Sequence, residues 1–469
     1  MEKFFKLKEN GTNVRTEVIA GITTFLAMAY ILAVNPQMLA ETGMNQGAVF
    51  TATAVSAAFA TLIMGVFAKY PVALASGMGL NAYFTYTVCT DLAEQGITDP
   101  WKVALTAILV EGIIFIILSL FKFRETLVNS IPTNLKFGIT AGIGLFITII
   151  GLKGAGIVTS DAFAVSISET EAIAVSSTLV QLGNLASPQV VLAFVGLIAI
   201  AAMSHFKIKG SILWGILLTW ILGIVAQLAG WYQVDIDNQV YSLIPSFDGV
   251  KDIIPPSVAP TFLQFNFEYV AKNLLNFVVV VFAFLFVDLF DTVGTLVGVA
   301  SKGDMLDENG KLPRAGRALL SDAVGTVAGA CLGTSTVTSY VESSAGVAEG
   351  GRTGLTAVTT AVMFIIALFL SPIFLAIPAF ATAPALIFVG LLMMSAVLKM
   401  KFEGDMADVL GGFMAIIMMP FTYSIANGIM FGILTWVILK LITGKFRDIH
   451  PIMYVCAVLF AIRIATIIL

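Results

Sequence analysis

Apolar stretches of about 20 residues recur along the whole chain, and that is the length a helix needs to cross a bilayer's hydrocarbon core. Inside that core every backbone N–H and C=O must find a partner within the protein. Continuous apolar runs of this length therefore select helices. Only 12% of the 469 residues are charged and 58% are hydrophobic, against roughly 25% charged in soluble domains. The expected fold is an all-α polytopic membrane protein whose surroundings are the lipid bilayer.

The first set of candidate spans covers 18–34, 48–68, 71–88, 101–121, 135–152, 190–205 and 211–229. A polar stretch, 230–268, reads as an external loop. The second set covers 270–300, 317–332, a broken segment at 333–351, then 355–370, 383–398, 406–423 and 426–441. The apolar tail 451–469 carries Arg463 and reads as a helix lying at the cytoplasmic interface, with a fifteenth span as the alternative. Basic clusters (Lys3, Lys6, Lys8 and Arg15; Lys69; Lys122 and Arg124; Lys207 and Lys209; Lys302, Lys311, Arg314 and Arg317; Lys399 and Lys401; Lys440, Lys445 and Arg447) all fall on one side of this arrangement. The positive-inside rule makes that side cytoplasmic, with both termini on it. The opposite loops carry acids instead, among them Asp91, Glu94, Asp99, Asp161, Glu169 and Glu171.

Two segments depart from the apolar norm. In 333–351, Thr334, Thr336 and Thr338 alternate with Ser335, Val337 and Ser339, which suits a short strand. Tyr340 to Ala348 follows as a half-helix, with Ser339 as its N-cap and Glu342 in its first turn, where the helix dipole favours an anion. The third span, at 71–88, is interrupted in a similar way around Gly77-Met-Gly-Leu-Asn-Ala82. These glycines mimic a dinucleotide fingerprint, but no soluble strand–helix unit surrounds them. Close approach of backbone and ligand is the better reading. Irregular backbone at membrane depth is tolerated only inside protein or along a cavity, and paired broken spans point to a transporter's binding site.

The halves repeat. Leu105-Thr-Ala107 and Phe115-Ile-Ile117 recur as Leu355-Thr-Ala357 and Phe364-Ile-Ile366. Ile131-Pro132 through Gly144-Leu145 to Lys153 recurs at a constant offset as Ile377-Pro378, Gly390-Leu391 and Lys399. In this register broken segment 3 pairs with broken segment 10. An odd number of spans per repeat inverts the second half.

Ionisable groups within spans are costly and mark partners, pathways or cavities. Asp288 and Asp291 lie at i and i+3 on one helical face, and Glu342 lies in the broken segment. Asn81 is either a cap or an amide that pairs with a heterocycle's donor–acceptor edge. Glu111 and Asp322 read as helix bridges and Glu349 as a partner for Arg352. Asp304, Asp307 and Glu308 lack the ligand spacing and closing glutamate of a calcium loop. His205 and His450 sit near predicted membrane edges, and Cys89, Cys331 and Cys456 have no ligand spacing. No metal, cofactor or catalytic residue is expected.

At these residues the chain resembles a known family. Glu17-Val-Ile-Ala-Gly-Ile-Thr-Thr24, Met28-Ala-Tyr-Ile-Leu32, Gly77 to Ala82, Asp288-Leu-Phe-Asp-Thr-Val-Gly294 and Thr334 to Ser343 are similar to the azaguanine-like branch of the nucleobase:cation symporter-2 family. The resemblance covers essentially the whole chain. It implies 14 transmembrane segments as two inverted repeats of seven, with short β-strands and half-helices in segments 3 and 10. Core and gate domains would alternate: core 15–121 and 270–371, gate 122–230 and 372–442, an extracellular loop 231–269 and the C-terminal helix 443–469. It further implies proton-coupled uptake of a purine nucleobase, guanine or hypoxanthine, with adenine in some members.

Carried over by motif, Asn81, Asp291 and Glu342 match the purine site, with backbone donors around Gly79, Leu80, Ser339 and Ser343. Asp288, Asp291 and Glu342 are the proton-coupling candidates, and Phe84 or Phe290 could stack on the base. A homodimer is compatible with this reading, and no nucleic acid partner is expected. The rival within the same architecture is an anion carrier or channel, but an anion site would want a buried cation where this chain has carboxylates. Asp288-x-x-Asp291 could hold magnesium against a diphosphate, yet no second aspartate-rich site is evident, so no enzyme is expected.

Overall fold

The computed structural model describes residues 2–120, 132–159, 163–168, 171–175, 180–234, 242–245, 254–306 and 312–468. Lys122, Arg124, Asp161, Glu169, Asp307, Glu308 and Lys311 fall outside these residues, as do the side chains of Glu171, Phe290 and Arg463. The first half contains α1 (Val14–Met28), α2 (Ile31–Ala40), α3 (Gln46–Ile63), β1 (Leu74–Ser76), α4 (Met78–Tyr83), α5 (Pro100–Leu120), α6 (Thr133–Gly154), α7 (Pro188–His205) and α8 (Ser211–Leu228). Between α6 and α7, β2 (Val158–Thr159) pairs with β5 (Gln181–Leu182), and β3 (Phe163–Ser168) with β4 (Glu171–Val175). The second half contains α9 (Leu274–Lys302), α10 (Ala315–Leu332), β6 (Val337–Ser339), α11 (Ser343–Ala348), α12 (Gly354–Ala367), α13 (Ala379–Met394), α14 (Met406–Phe421), α15 (Ile425–Ile442) and α16 (Pro451–Ile468).

Among the described residues nine helices are long and apolar enough to cross a membrane. Segments 3 and 10 are not among them because each is a strand followed by a half-helix. Nor is α10, whose small and polar residues include the buried Asp322. The strand expected near Thr334–Ser339 forms over Val337–Ser339, but the half-helix begins later than expected. Ser339 ends the strand, and Glu342 occupies the N-cap with helical backbone and no capping bond from its side chain.

β1 and β6 pair antiparallel, Leu74 opposite Ser339 and Ser76 opposite Val337. A two-stranded ladder leaves outward-facing backbone groups that a membrane interior cannot solvate. Threonines on flanking helices satisfy them. Thr61 of α3 accepts from the Leu74 N–H at 2.9 Å and donates to its carbonyl at 3.0 Å, and Thr326 of α10 donates to the Val337 carbonyl at 2.9 Å. The ladder is thereby held in the protein interior between helices of both halves.

Close helix contacts rest on glycine. A Cβ on Gly354 would fall 1.8 Å from the Gly65 carbonyl, so α12 and the end of the second span touch backbone to backbone. Gly144 of α6 and Gly390 of α13 meet reciprocally, each Cβ position lying 2.5–2.6 Å from the other's carbonyl oxygen. These two glycines are the repeat pair read from the sequence.

Glu17 of α1, fully buried, knits the broken segment to α12. It accepts from the backbone N–H of Arg352 (2.9 Å), Thr353 (3.3 Å) and Thr356 (3.1 Å) and from the Thr356 hydroxyl (2.6 Å). These are orphan donors at the start of α12. Glu17→Ala would strand several of them, and the expected loss is about 3 kcal/mol or more. A Tm unchanged in detergent would contradict this.

α14 and α15 pack on α6. Where α14 begins and α15 ends, Asp405 caps α14, accepting from the Ala407 N–H at 3.0 Å, and pairs with Lys440 at 2.6 Å and Lys445 at 3.0 Å. The two ammonium groups hold the Asp405 carboxyl well below the usual carboxylate range. A carboxyl depressed by folding contributes stability above its unfolded pKa of about 4, and that contribution is lost as pH falls toward the folded value. Asp405→Asn is expected to lower Tm at pH 7, and the gap to the parent should close below about pH 4.

α16 lies against α15 and α9, burying Met453, Cys456, Ala457 and Phe460 while leaving Val455 and Val458 exposed. The Phe460 ring stands 5.7 Å from that of Phe282 on α9.

Candidate functional site

The β1–β6 crossing aims two half-helices apart: α4 leaves it at Gly77 and α11 at Glu342. Gly77 is pressed against its neighbours. A Cβ there would lie 2.5 Å from the Thr338 methyl and 3.5 Å from Asp291 Oδ2, so the carboxyl of Asp291 reaches the start of α4. Asp291 also interacts electrostatically with Asp288 and Glu342. These three expected carboxylates therefore converge, on α9 and at the start of α11. Asp288 is fully buried, whereas Asp291 and Glu342 keep partial exposure.

Glu342 has a partner the sequence reading missed. Tyr30, in the break between α1 and α2, donates its hydroxyl to Glu342 Oε1 at 2.7 Å. Tyr340 stands close by and donates to the Ser76 carbonyl, locking the end of β1 to the residue after β6. The available signal was a hydroxyl-bearing aromatic inside an apolar span, since a buried Tyr hydroxyl needs a partner.

Thr292 was also missed, although it lies one helical turn after Asp288. Its hydroxyl oxygen stands 3.1 Å from Asp288 Oδ1, 3.0 and 3.1 Å from the two oxygens of Asp322, and 2.7 Å from the Thr338 hydroxyl. Asp322 bridges helices as expected, but it does so beside the carboxylates of α9. Ser339 reaches it too, at 3.5 Å.

The remaining candidates divide. Asn81 is buried, with Oδ1 accepting from the Ser335 hydroxyl and Nδ2 without a partner. Ser343 accepts from the Ala73 N–H at 3.0 Å, so its hydroxyl holds the strand. A Cβ on Gly79 would meet Ile143 of α6 at 2.8 Å, which sets α4 against the expected gate helix. Leu80 and Phe84 are fully buried. Glu111 accepts from the Thr336 hydroxyl at 3.0 Å and so bridges α5 to the broken segment.

Glu349 does not pair with Arg352. It binds Lys209 at 2.6 Å, while the Arg352 guanidinium donates to the Val347 and Gly351 carbonyls at 2.6 and 2.9 Å. The guanidinium thus adds a second bond to the Val347 carbonyl at the end of α11, which also accepts from the Gly350 N–H at 3.0 Å.

Comparison with known proteins agrees with this geometry. The profile described as "Permease family" matches residues 15–431. Guanine/hypoxanthine permease PbuG of Bacillus subtilis is 42% identical over 469 residues, covering 98% of this chain and 98% of that protein. Adenine permease AdeP of Escherichia coli is 40% identical over 467 residues, covering 100% and 96%. Among solved structures, the transmembrane domain of the cyanobacterial bicarbonate transporter BicA shares the fold at a TM-score of 0.63 and 15% identity, over 90% of this chain and 97% of that one. SLC26A9 does so at 0.63 and 10% identity, over 94% and 66%. These relatives are transporters by name, and the chain itself belongs to the nucleobase:cation symporter-2 permease family, on its azaguanine-like branch.

Proposed function

We propose that this chain takes up a purine nucleobase, guanine or hypoxanthine with adenine open, across the cytoplasmic membrane together with a proton. The observation that carries the reading is the pair of partly exposed carboxylates, Asp291 and Glu342, at the junction of two half-helices. A carboxylate accepts the N–H groups of a base edge through charge-assisted bonds. The unengaged Nδ2 of Asn81 is assigned as the donor to the base's carbonyl. The names of PbuG and AdeP, both purine permeases, support this substrate class.

Fourteen segments in two inverted repeats of seven are the proposed architecture, with both termini cytoplasmic. The antiparallel β1–β6 pair and the mutual contact of Gly144 with Gly390 support it, because equivalent residues meet near a two-fold axis. Core (15–121 and 270–371) and gate (122–230 and 372–442) would move against each other in alternating access, with the purine at their boundary near Gly79. α16 is better read as an inserted helix than as an interfacial one.

Proton coupling is assigned to the cluster around Thr292. One hydroxyl has one proton, and two carboxyl groups and a second hydroxyl surround it within 3.1 Å. It can donate to one carboxylate only, so the other must bring its own proton to make a hydrogen bond. Asp288, with Asp322 opposite, is the proposed carrier, and Asp291, three residues on along α9, is assigned as the link from this proton to the purine.

The second reading, an anion carrier, draws on the shared fold with BicA. Carboxylates at the site argue against it. Uptake of labelled hypoxanthine by a transport-deficient host, competed with guanine, adenine, uracil and sulfate, separates the two. Competition by guanine and not by sulfate supports the purine reading, whereas competition by sulfate alone would replace it.

A further inference from the structure

We propose that Tyr30 is the positioning residue of the purine site: its hydroxyl holds the Glu342 carboxylate in the orientation that receives the base. The proposal rests on the purine reading above. Tyr30 sits at the N-cap of α2 and makes no capping bond there. It is 1% exposed, and packing alone would be served equally by Phe. Its hydroxyl instead reaches across 312 positions of sequence to Glu342 Oε1, at 2.7 Å.

Glu342 has three rotatable side-chain bonds and stands at the N-cap of a six-residue helix without using its carboxylate as a cap. Left alone, such a side chain samples several rotamers, and ordering it would weaken binding. The phenol removes that freedom by engaging one oxygen. Beyond the Tyr30 bond, the carboxylate is met among the described residues only by its own backbone N–H, and its remaining lone pairs are left to accept from the base.

The position of Tyr30 also links the site to the neighbouring half of the fold. Seven residues on, Gln37 of α2 donates to the Ile377 carbonyl and accepts from the Thr382 hydroxyl of α13 at 2.9 Å. Glu342 is thus oriented from a segment that is itself anchored on the second of the glycine-paired helices, α13.

Tyr30→Phe keeps the ring and its packing, so it tests the hydroxyl. The expected result is a rise of about tenfold in the KM for hypoxanthine uptake, with kcat changed less than about threefold. Purified, substrate-free protein supplies the second arm. Tyr30→Phe should lower Tm in the parent and leave it unchanged in a Glu342→Ala background, because the hydroxyl then has no carboxylate to bind. A lowered Tm with an unchanged KM would mean a purely structural bond and overturn the proposal. Equal Tm losses in both backgrounds would also overturn it, since Tyr30 would then act apart from Glu342. If the parent takes up no purine at all, the purine reading fails first. If the parent is active, Glu342→Gln is impaired and Tyr30→Phe is normal, only Tyr30 loses its role.

Discussion

Glu342→Gln is expected to insert and fold normally yet bind hypoxanthine about a hundredfold more weakly. The substitution conserves shape and keeps an oxygen for the Tyr30 hydroxyl. With the oxygen facing Tyr30, the amide nitrogen takes the place of Oε2 and turns a donor toward the N–H edge of the base. Two donors then face each other where an ionised acceptor stood, so the lost bond is compounded by a stranded polar group. Binding measured on purified protein, with size-exclusion profiles to verify folding, gives the answer. Affinity within threefold of the parent would remove Glu342 from the purine site, and with it the central assignment.

Asp288→Asn is expected to separate transport from its driving force. Asparagine resembles the protonated carboxyl in shape and charge, so the Thr292 cluster keeps its hydrogen bonds but cannot exchange a proton. In proteoliposomes, accumulation driven by an inward proton gradient should fall to equilibration, a loss of up to about tenfold for one coupled proton and a gradient of about one pH unit, since 1.4 kcal/mol corresponds to a factor of ten. Exchange of internal for external purine should persist. Accumulation that remains sensitive to a protonophore in the variant would move the proton elsewhere. Asp322→Asn is the next place to look, because Asp322 faces the same hydroxyl at 3.0 and 3.1 Å.

Much of the candidate site's local character was legible because membrane chemistry leaves few alternatives. A Gly-, Ser- and Thr-rich interruption between apolar spans has to be buried in protein, and an ionisable residue beside it has to be compensated. Asp288, Asp291 and Glu342 stand out in the chain for that reason, and they do converge. Periodicity alone could not say which hydroxyl each carboxyl meets. Tyr30 and Glu342 are 312 positions apart, and Asp322 reaches Thr292 from 30 positions away.

The roles of single polar residues were the least legible. Ser339 and Ser343 share the same composition cue. Yet one ends a strand and reaches Asp322, and the other holds the Ala73 N–H. Glu349 and Arg352 sit close enough in sequence to suggest an ion pair. The carbonyls ending α11 and the approach of Lys209 from the loop between α7 and α8 rearranged both.

What the chain determined by itself was local and compositional: which stretches cross a bilayer, where two of them break, and which side of each carries the cations. Those features follow from hydropathy and backbone satisfaction, which act over a single helix. Only the tertiary structure decided that the two breaks pair as strands, that Gly144 meets Gly390, and that Tyr30 holds Glu342. These contacts are made between segments hundreds of positions apart. Their partners are selected by close packing and by the cost of leaving a buried polar group unpaired, neither of which leaves a period in the sequence.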